Sequence, residues 1–154
     1  MQFDNKAHED IYKKAQEWMK ELFGTFVVAL PDVPVFVFEQ GDTLAQITVA
    51  SWGSDDATIT VRSWVVHDVE ATPDLMHYLL RENDKFRFGA FGLDSEDDVF
   101  FEHTIVGSTC DPEELKASVF AVTGTSDRYD DEIIAKYGGM KSIDKLKEKA
   151  TAAT

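Results

Sequence analysis

Apolar positions between Asp4 and Phe23 recur every three or four: Ala7, Ile11, Ala15, Trp18 and Leu22, with Lys13, Lys14, Glu17 and Lys20 between them. That spacing predicts an amphipathic helix from Asp4 to Phe23, stopped by Gly24. The pattern then changes to β-branched and aromatic runs, "VPVFVFE" (33 to 39), "TLAQITVASW" (43 to 52) and "ATITVRSWVV" (57 to 66), separated by the turn signals "QGD" and "GSDD". These runs predict a three-stranded antiparallel meander. Thr72 as N-cap and Pro73 at N1 open a short helix that ends near Asn83, and two aromatic-rich strands follow around a five-residue turn at 94 to 98. Asp111 caps the last long helix, with Pro112 at N1 and Glu114 at N3, and Leu115, Val119, Val122, Tyr129, Ile133 and Tyr137 hold one of its faces until Gly138 and Gly139 close it. Gly124 interrupts that run, so a break or a close contact is open there. The predicted order is α-β-β-β-α-β-β-α. It describes an α+β fold with a twisted antiparallel five-stranded sheet and helices packed on it, one domain over residues 1–139, and a lysine-bearing helical or disordered tail over 140–154.

Side chains alternate faces along a strand, so parity assigns the core. In the second and third strands the odd positions are mostly apolar (Ala45, Ile47, Val49, Ala57, Ile59, Val61, Val65) and the even ones mainly polar. Keeping odd opposite odd requires odd-length loops: three residues near 40 to 42, three near 54 to 56 and five at 94 to 98. This register sets Phe91 opposite Phe101 and Leu93 opposite Val99. It also places Phe36, Phe38, Trp52, Trp64, Phe86, Phe88 and Phe100 on the even, non-core face, which is more aromatic surface than a wet sheet carries. These seven are the candidate binding residues. Their cover is open between the protein's own helices and tail, a second copy of the chain, and a segment of a partner, for which exposed strand edges would offer an extra pairing site.

Charge and chemistry narrow the function. A formal net charge of −14 opposes phosphate backbones and anionic head groups, so neither nucleic acid nor a membrane surface is an expected partner. No apolar run approaches the length of a membrane span, and the single cysteine, Cys110, leaves no intramolecular disulfide, which suits the cytoplasm. The acidic turn (Asp94, Glu96, Asp97, Asp98) lacks the glycine of a calcium loop and reads as a solvated hairpin tip. Cys110 lies beside a helix start with no evident base, and His8, His67, His77 and His103 fall on separate elements without metal-ligand spacing. "GAFG" (89 to 92) is not placed as a phosphate loop. No cofactor, metal or catalytic group is expected.

Residues 79 to 139, "LLRENDKFRFGAFGLDSEDDVFFEHTIVGSTCDPEELKASVFAVTGTSDRYDDEIIAKYGG", carry a helix ending in Leu-x-x-x-Asn, an alternating strand with a glycine and an acidic turn. A second strand, a helix opened by Asp-Pro-Glu-Glu-Leu and an Asp-x-Tyr in its later turns complete the pattern. In these features the chain resembles the YbjN-type domain and, more remotely, the class I type III secretion chaperones of the CesT/Tir-chaperone group. The resemblance implies helices on one face of a twisted antiparallel sheet, commonly a homodimer, binding peptide segments of other proteins without catalysis. It supplies no catalytic positions. The expected function is therefore a non-enzymatic chaperone-like or adaptor module, likewise dimeric, for an extended client segment; the alternative is a small-molecule or lipid sensor or enzyme with a pocket between helices and sheet, using Cys110 or His103.

Overall fold

The computed structural model describes residues 1–152. Its first helix, α1 (Lys6–Phe23), starts where the Asn5 side chain accepts the His8 N–H at 2.8 Å, and it buries Ile11, Tyr12, Ala15, Met19 and Phe23. Gly24, at φ 53°, ends it. A 3-10 turn leads into β1 (Val27–Ala29), then β2 (Val35–Gln40), β3 (Thr43–Trp52) and β4 (Asp56–Val66). The short helix α2 (Pro73–Asn83) precedes the hairpin of β5 (Ala90–Leu93) and β6 (Val99–Val106), and α3 (Pro112–Tyr137) and α4 (Ser142–Ala152) complete the described residues. Both caps read from the sequence form: Thr72 Oγ1 accepts the Leu75 N–H at 3.2 Å and the Asp111 carboxylate accepts the Glu114 N–H at 2.8 Å.

The sheet is antiparallel and has six strands in the order β1-β2-β3-β4-β6-β5, one more than the sequence predicts. The extra strand, β1, is only three residues long and follows directly on the α1 stop, too short for alternation to show. One continuous core joins α1 and α3 to one face of the sheet, with Ile47, Val49, Ile59, Val61, Phe101, Leu115 and Ile133 fully enclosed.

Register decides which residues that core receives. β3 and β4 pair Val49 with Ile59, and β5 and β6 pair Phe91 with Phe101 and Leu93 with Val99, so parity holds there. It fails at the first hairpin. Gln40 pairs with Thr43, leaving a two-residue loop, Gly41-Asp42, where three residues are expected, and Gly41 sits at φ 63° as such a tight turn requires. The shorter loop shifts β2 by one residue, so Phe36 faces Ile47 and Phe38 faces Ala45. Phe36 and Phe38 are therefore core residues, each 1% exposed, and the expectation that they lie on the outer face is corrected.

Beyond β4, the backbones of His67 and Met140 exchange both N–H···O bonds, at 2.8 and 2.9 Å. Met140 thereby continues the sheet next to β4. The approach is so close that a Cβ on Gly139, at φ 93°, would lie 2.4 Å from a Val66 methyl carbon, so glycine is required. This bridge delivers the chain into α4, which lies against β3 and β4.

Candidate functional site

The seven aromatics do not form one patch. Phe36 stacks on Tyr12 at 5.1 Å and Phe38 meets Phe23 edge-on at 5.1 Å, both inside the core. Phe86 precedes β5 rather than lying in a strand, so parity does not govern it; its ring turns inward against Phe91, Phe101 and Tyr129. On the outer face, Trp64 and Phe100 are cross-strand neighbours, and Arg62 lies over Phe100 at 3.9 Å while bonding Glu102 at 2.6 and 2.8 Å. The Trp64 Nε1–H donates to Asp94 at 2.9 Å. Phe88, 54% exposed, precedes β5 and lies beside His103, whose ring turns to Ser118 of α3, so the expectation that Phe88 belongs to the outer face is corrected. Trp52, 55% exposed, stands at the far end of β3 from Trp64 and Phe100. Between them the face is threonine-rich and wet: Thr48, Thr58, Thr60 and Thr104. It offers no continuous greasy surface.

The two edges of the sheet differ more. A free edge exposes unpaired N–H and C=O groups, and proteins blunt such edges unless they are used. At β5, the Asn83 side chain does the blunting: its Oδ1 accepts the Phe91 N–H at 2.7 Å and its Nδ2–H donates to the Phe91 carbonyl at 3.2 Å, imitating a further strand. β1 has no strand on its outer side among the described residues. The Leu30 N–H bonds the Val35 carbonyl at 2.9 Å, so by antiparallel alternation Val28 addresses Val37, and Val27 and Ala29 turn their backbone groups away from β2.

Beside that edge lies an opening of about 300 Å³ between α1 and the sheet, lined by Gln16, Met19, Lys20, Gly24, Val27, Ala29 and Phe36. The residues whose backbone faces outward thus also line a space for alternate side chains of an added strand. Phe26 and Val28, 51% and 61% exposed, flank it. A second opening, of about 380 Å³, lies between the Gly41-Asp42 turn and α3, with Phe38 at its floor and Phe120 at its rim. Phe23 meets both Phe38 and Phe120 edge-on. Sequence reading missed this flank, although the apolar "TFVVA" after Gly24 and the "QGD" turn were its visible signals.

The groups weighed for chemistry are used structurally. Burial, with Glu114 and Asp111 nearby, pushes the Cys110 thiol up to about 12, the opposite of an activated nucleophile. His103 Nδ1 is 2.9 Å from Ser118 Oγ. At the acidic turn, burial opposes ionisation of Asp94, but bonds from Trp64 and from the Glu96 and Asp98 amides outweigh it and hold the carboxyl below its usual range. Asp98 is 5% exposed, which corrects the reading of this turn as wholly solvated. Its carboxylate lies 2.5 Å from His67 Nδ1 and accepts the Asp68 N–H at 2.8 Å, while His67 Nε2 is 3.1 Å from Ser142 Oγ. This Asp-His-Ser chain has the order of a hydrolase relay, but the Ser142 hydroxyl donates to the Trp64 carbonyl at 2.7 Å. Its proton is committed to a backbone acceptor, so the chain ties α4 to the sheet. Among the described residues no group of three or more His, Cys, Asp or Glu side chains could hold a metal ion, and no helix is long and apolar enough to cross a membrane.

The fold, an open antiparallel sheet with helices against one face, is shared with solved type III secretion chaperones. SycH of Yersinia pestis, solved in complex with a stable fragment of YscM2, superposes with a TM-score of 0.57 at 9% identity, over 77% of this chain and 98% of that one. SchA from the HopA1-SchA chaperone-effector complex superposes with a TM-score of 0.60 at 8% identity, over 80% of this chain and 96% of that one. At the level of sequence, residues 16–145 match the family described as T3SS (YopN, CesT) and YbjN peptide-binding chaperone 1, and the chain belongs to that family. No curated protein matches the chain in sequence.

Proposed function

We propose that this protein is a non-enzymatic, cytoplasmic binding module that holds an extended segment of a client protein by adding it as a strand beside β1. The observation that carries the reading is the unequal treatment of the two sheet edges. Asn83 occupies the β5 edge at Phe91, whereas Val27 and Ala29 leave β1 open directly beside an apolar space. Main-chain bonds to Val27 and Ala29 would supply affinity independent of client sequence, and alternate client side chains would enter between α1 and the sheet. Membership of a peptide-binding chaperone family and a fold shared with SycH and SchA, each solved with a protein partner, support the same reading.

The test is selection of phage-displayed random dodecapeptides on the whole purified chain, followed by fluorescence anisotropy with the enriched sequences. Ala29→Pro removes an outward-facing N–H while sparing the bonds to β2, and it is expected to weaken binding about tenfold. Enriched peptides whose affinity ignores Ala29→Pro would place binding elsewhere. We further propose that the chain works as a homodimer through the α2 surface, where Met76 and Leu80, one turn apart, are 39% and 72% exposed. Light scattering should give twice the chain mass, returning to one mass for Leu80→Glu.

A further inference from the structure

The opening between the β2–β3 turn and α3 supports an inference that rests on the peptide-binding reading and goes beyond it. Gly124 lies within α3, where a glycine destabilises the helix. A Cβ built there meets no atom within 4 Å, so no close packing accounts for the glycine; its effect is to keep the space beside Phe120 clear. Asp42 on the turn and Asp127 on α3 line the same space, no basic side chain does, and neither carboxylate has a hydrogen-bond or ion-pair partner among the described residues.

We propose that this opening receives an arginine side chain of the bound segment. A guanidinium is planar, can lie on the exposed Phe120 ring and offers a fork of N–H donors to carboxylates, while its methylene stem suits an apolar floor such as Phe38. The protein already uses this chemistry on its other face, where Arg62 lies 3.9 Å over Phe100 and donates twice to Glu102. Lysine, a compact ammonium without the planar fork, fits less well. Phe36 and Phe38, which floor the two openings, are two residues apart on β2, or about 7 Å, so a short extended stretch would reach both. The net charge of −14 favours the approach of such a basic segment.

The dodecapeptides selected above supply the probe. Enriched sequences are expected to carry arginine within an apolar stretch. Changing that arginine to glutamine should weaken binding about tenfold, and changing it to lysine less. Asp42→Asn combined with Asp127→Asn should weaken the arginine peptide by a similar factor and leave the glutamine peptide unchanged. Gly124→Leu, which fills the opening from an exposed helical position, should do the same. The inference is overturned if enriched peptides lack arginine, or if the arginine peptide ignores these substitutions while Ala29→Pro still weakens it; the strand-addition reading then stands alone. If no peptide is enriched, both fail together.

Discussion

The corner where α4 meets the end of β4 and the flank where α1 ends beside β2 treat their polar groups in opposite ways. At the corner the polar side chains are spent on one another and on the backbone: Asp98 on His67 and the Asp68 amide, Ser142 on the Trp64 carbonyl, Lys145 on Asp68, Asp94 on Trp64. At the flank the Val27 and Ala29 backbones face away from β2, and Asp42 and Asp127 line an opening. Side-chain type does not distinguish the two regions, since both are acidic and aromatic. What distinguishes them is completion: a satisfied network holds the fold, and an unsatisfied one beside an apolar opening is where binding energy remains to be gained.

The largest expected effect tests where the fold ends and the surface begins. Phe36→Ala removes a ring enclosed between Tyr12 and the sheet and should cost about 3–5 kcal/mol, whereas Trp52→Ala, at an exposed strand end, should stay within about 0.5 kcal/mol. Urea unfolding measures both. Similar losses would mean that the outer face is covered after all. The pair also marks how far the sequence could be read. Helix caps at Thr72 and Asp111 were legible because they depend on neighbours in the chain, and the registers of the β3–β4 and β5–β6 hairpins were legible because each follows from an odd-length loop between two adjacent runs. The side of β2 was not, because one residue more or less in the Gly41-Asp42 turn inverts the strand while "VFVF" is apolar on both faces. The candidate site was legible only as a class of surface, since which edge is capped depends on where Asn83 and α2 lie in space, and they lie against β5 and not β1.

A smaller loss is expected from opening the completed corner. Asp98→Ala leaves His67 Nδ1 and the Asp68 N–H without their acceptor in a place water barely reaches, and should destabilise the protein by about 2 kcal/mol. The loss should be unevenly distributed. Hydrogen exchange should quicken first in α4 and at the His67 and Met140 amides, because the same network secures that helix through Ser142. Uniform acceleration across the sheet would instead show that the corner belongs to the core's cooperative unit. Asp42→Asn, at the open flank, should leave stability within about 0.5 kcal/mol, so that matching losses at the two sites would remove the distinction between them.

The smallest change has the opposite sign. Gly124 sits in the interior of a helix with clear space before it, so Gly124→Ala should stabilise the protein by about 0.5–1 kcal/mol through backbone entropy and helix propensity alone. The added methyl lies at the mouth of the opening lined by Phe38 and Phe120, so the gain in melting temperature should come with weaker peptide binding than in the parent chain. A residue kept for packing would lose stability on this substitution, and one of no consequence would gain it without cost to binding. Only a glycine retained to hold a space open gives both a firmer fold and a poorer ligand site, which is the trade expected where a surface is shaped for a guest rather than for the chain itself.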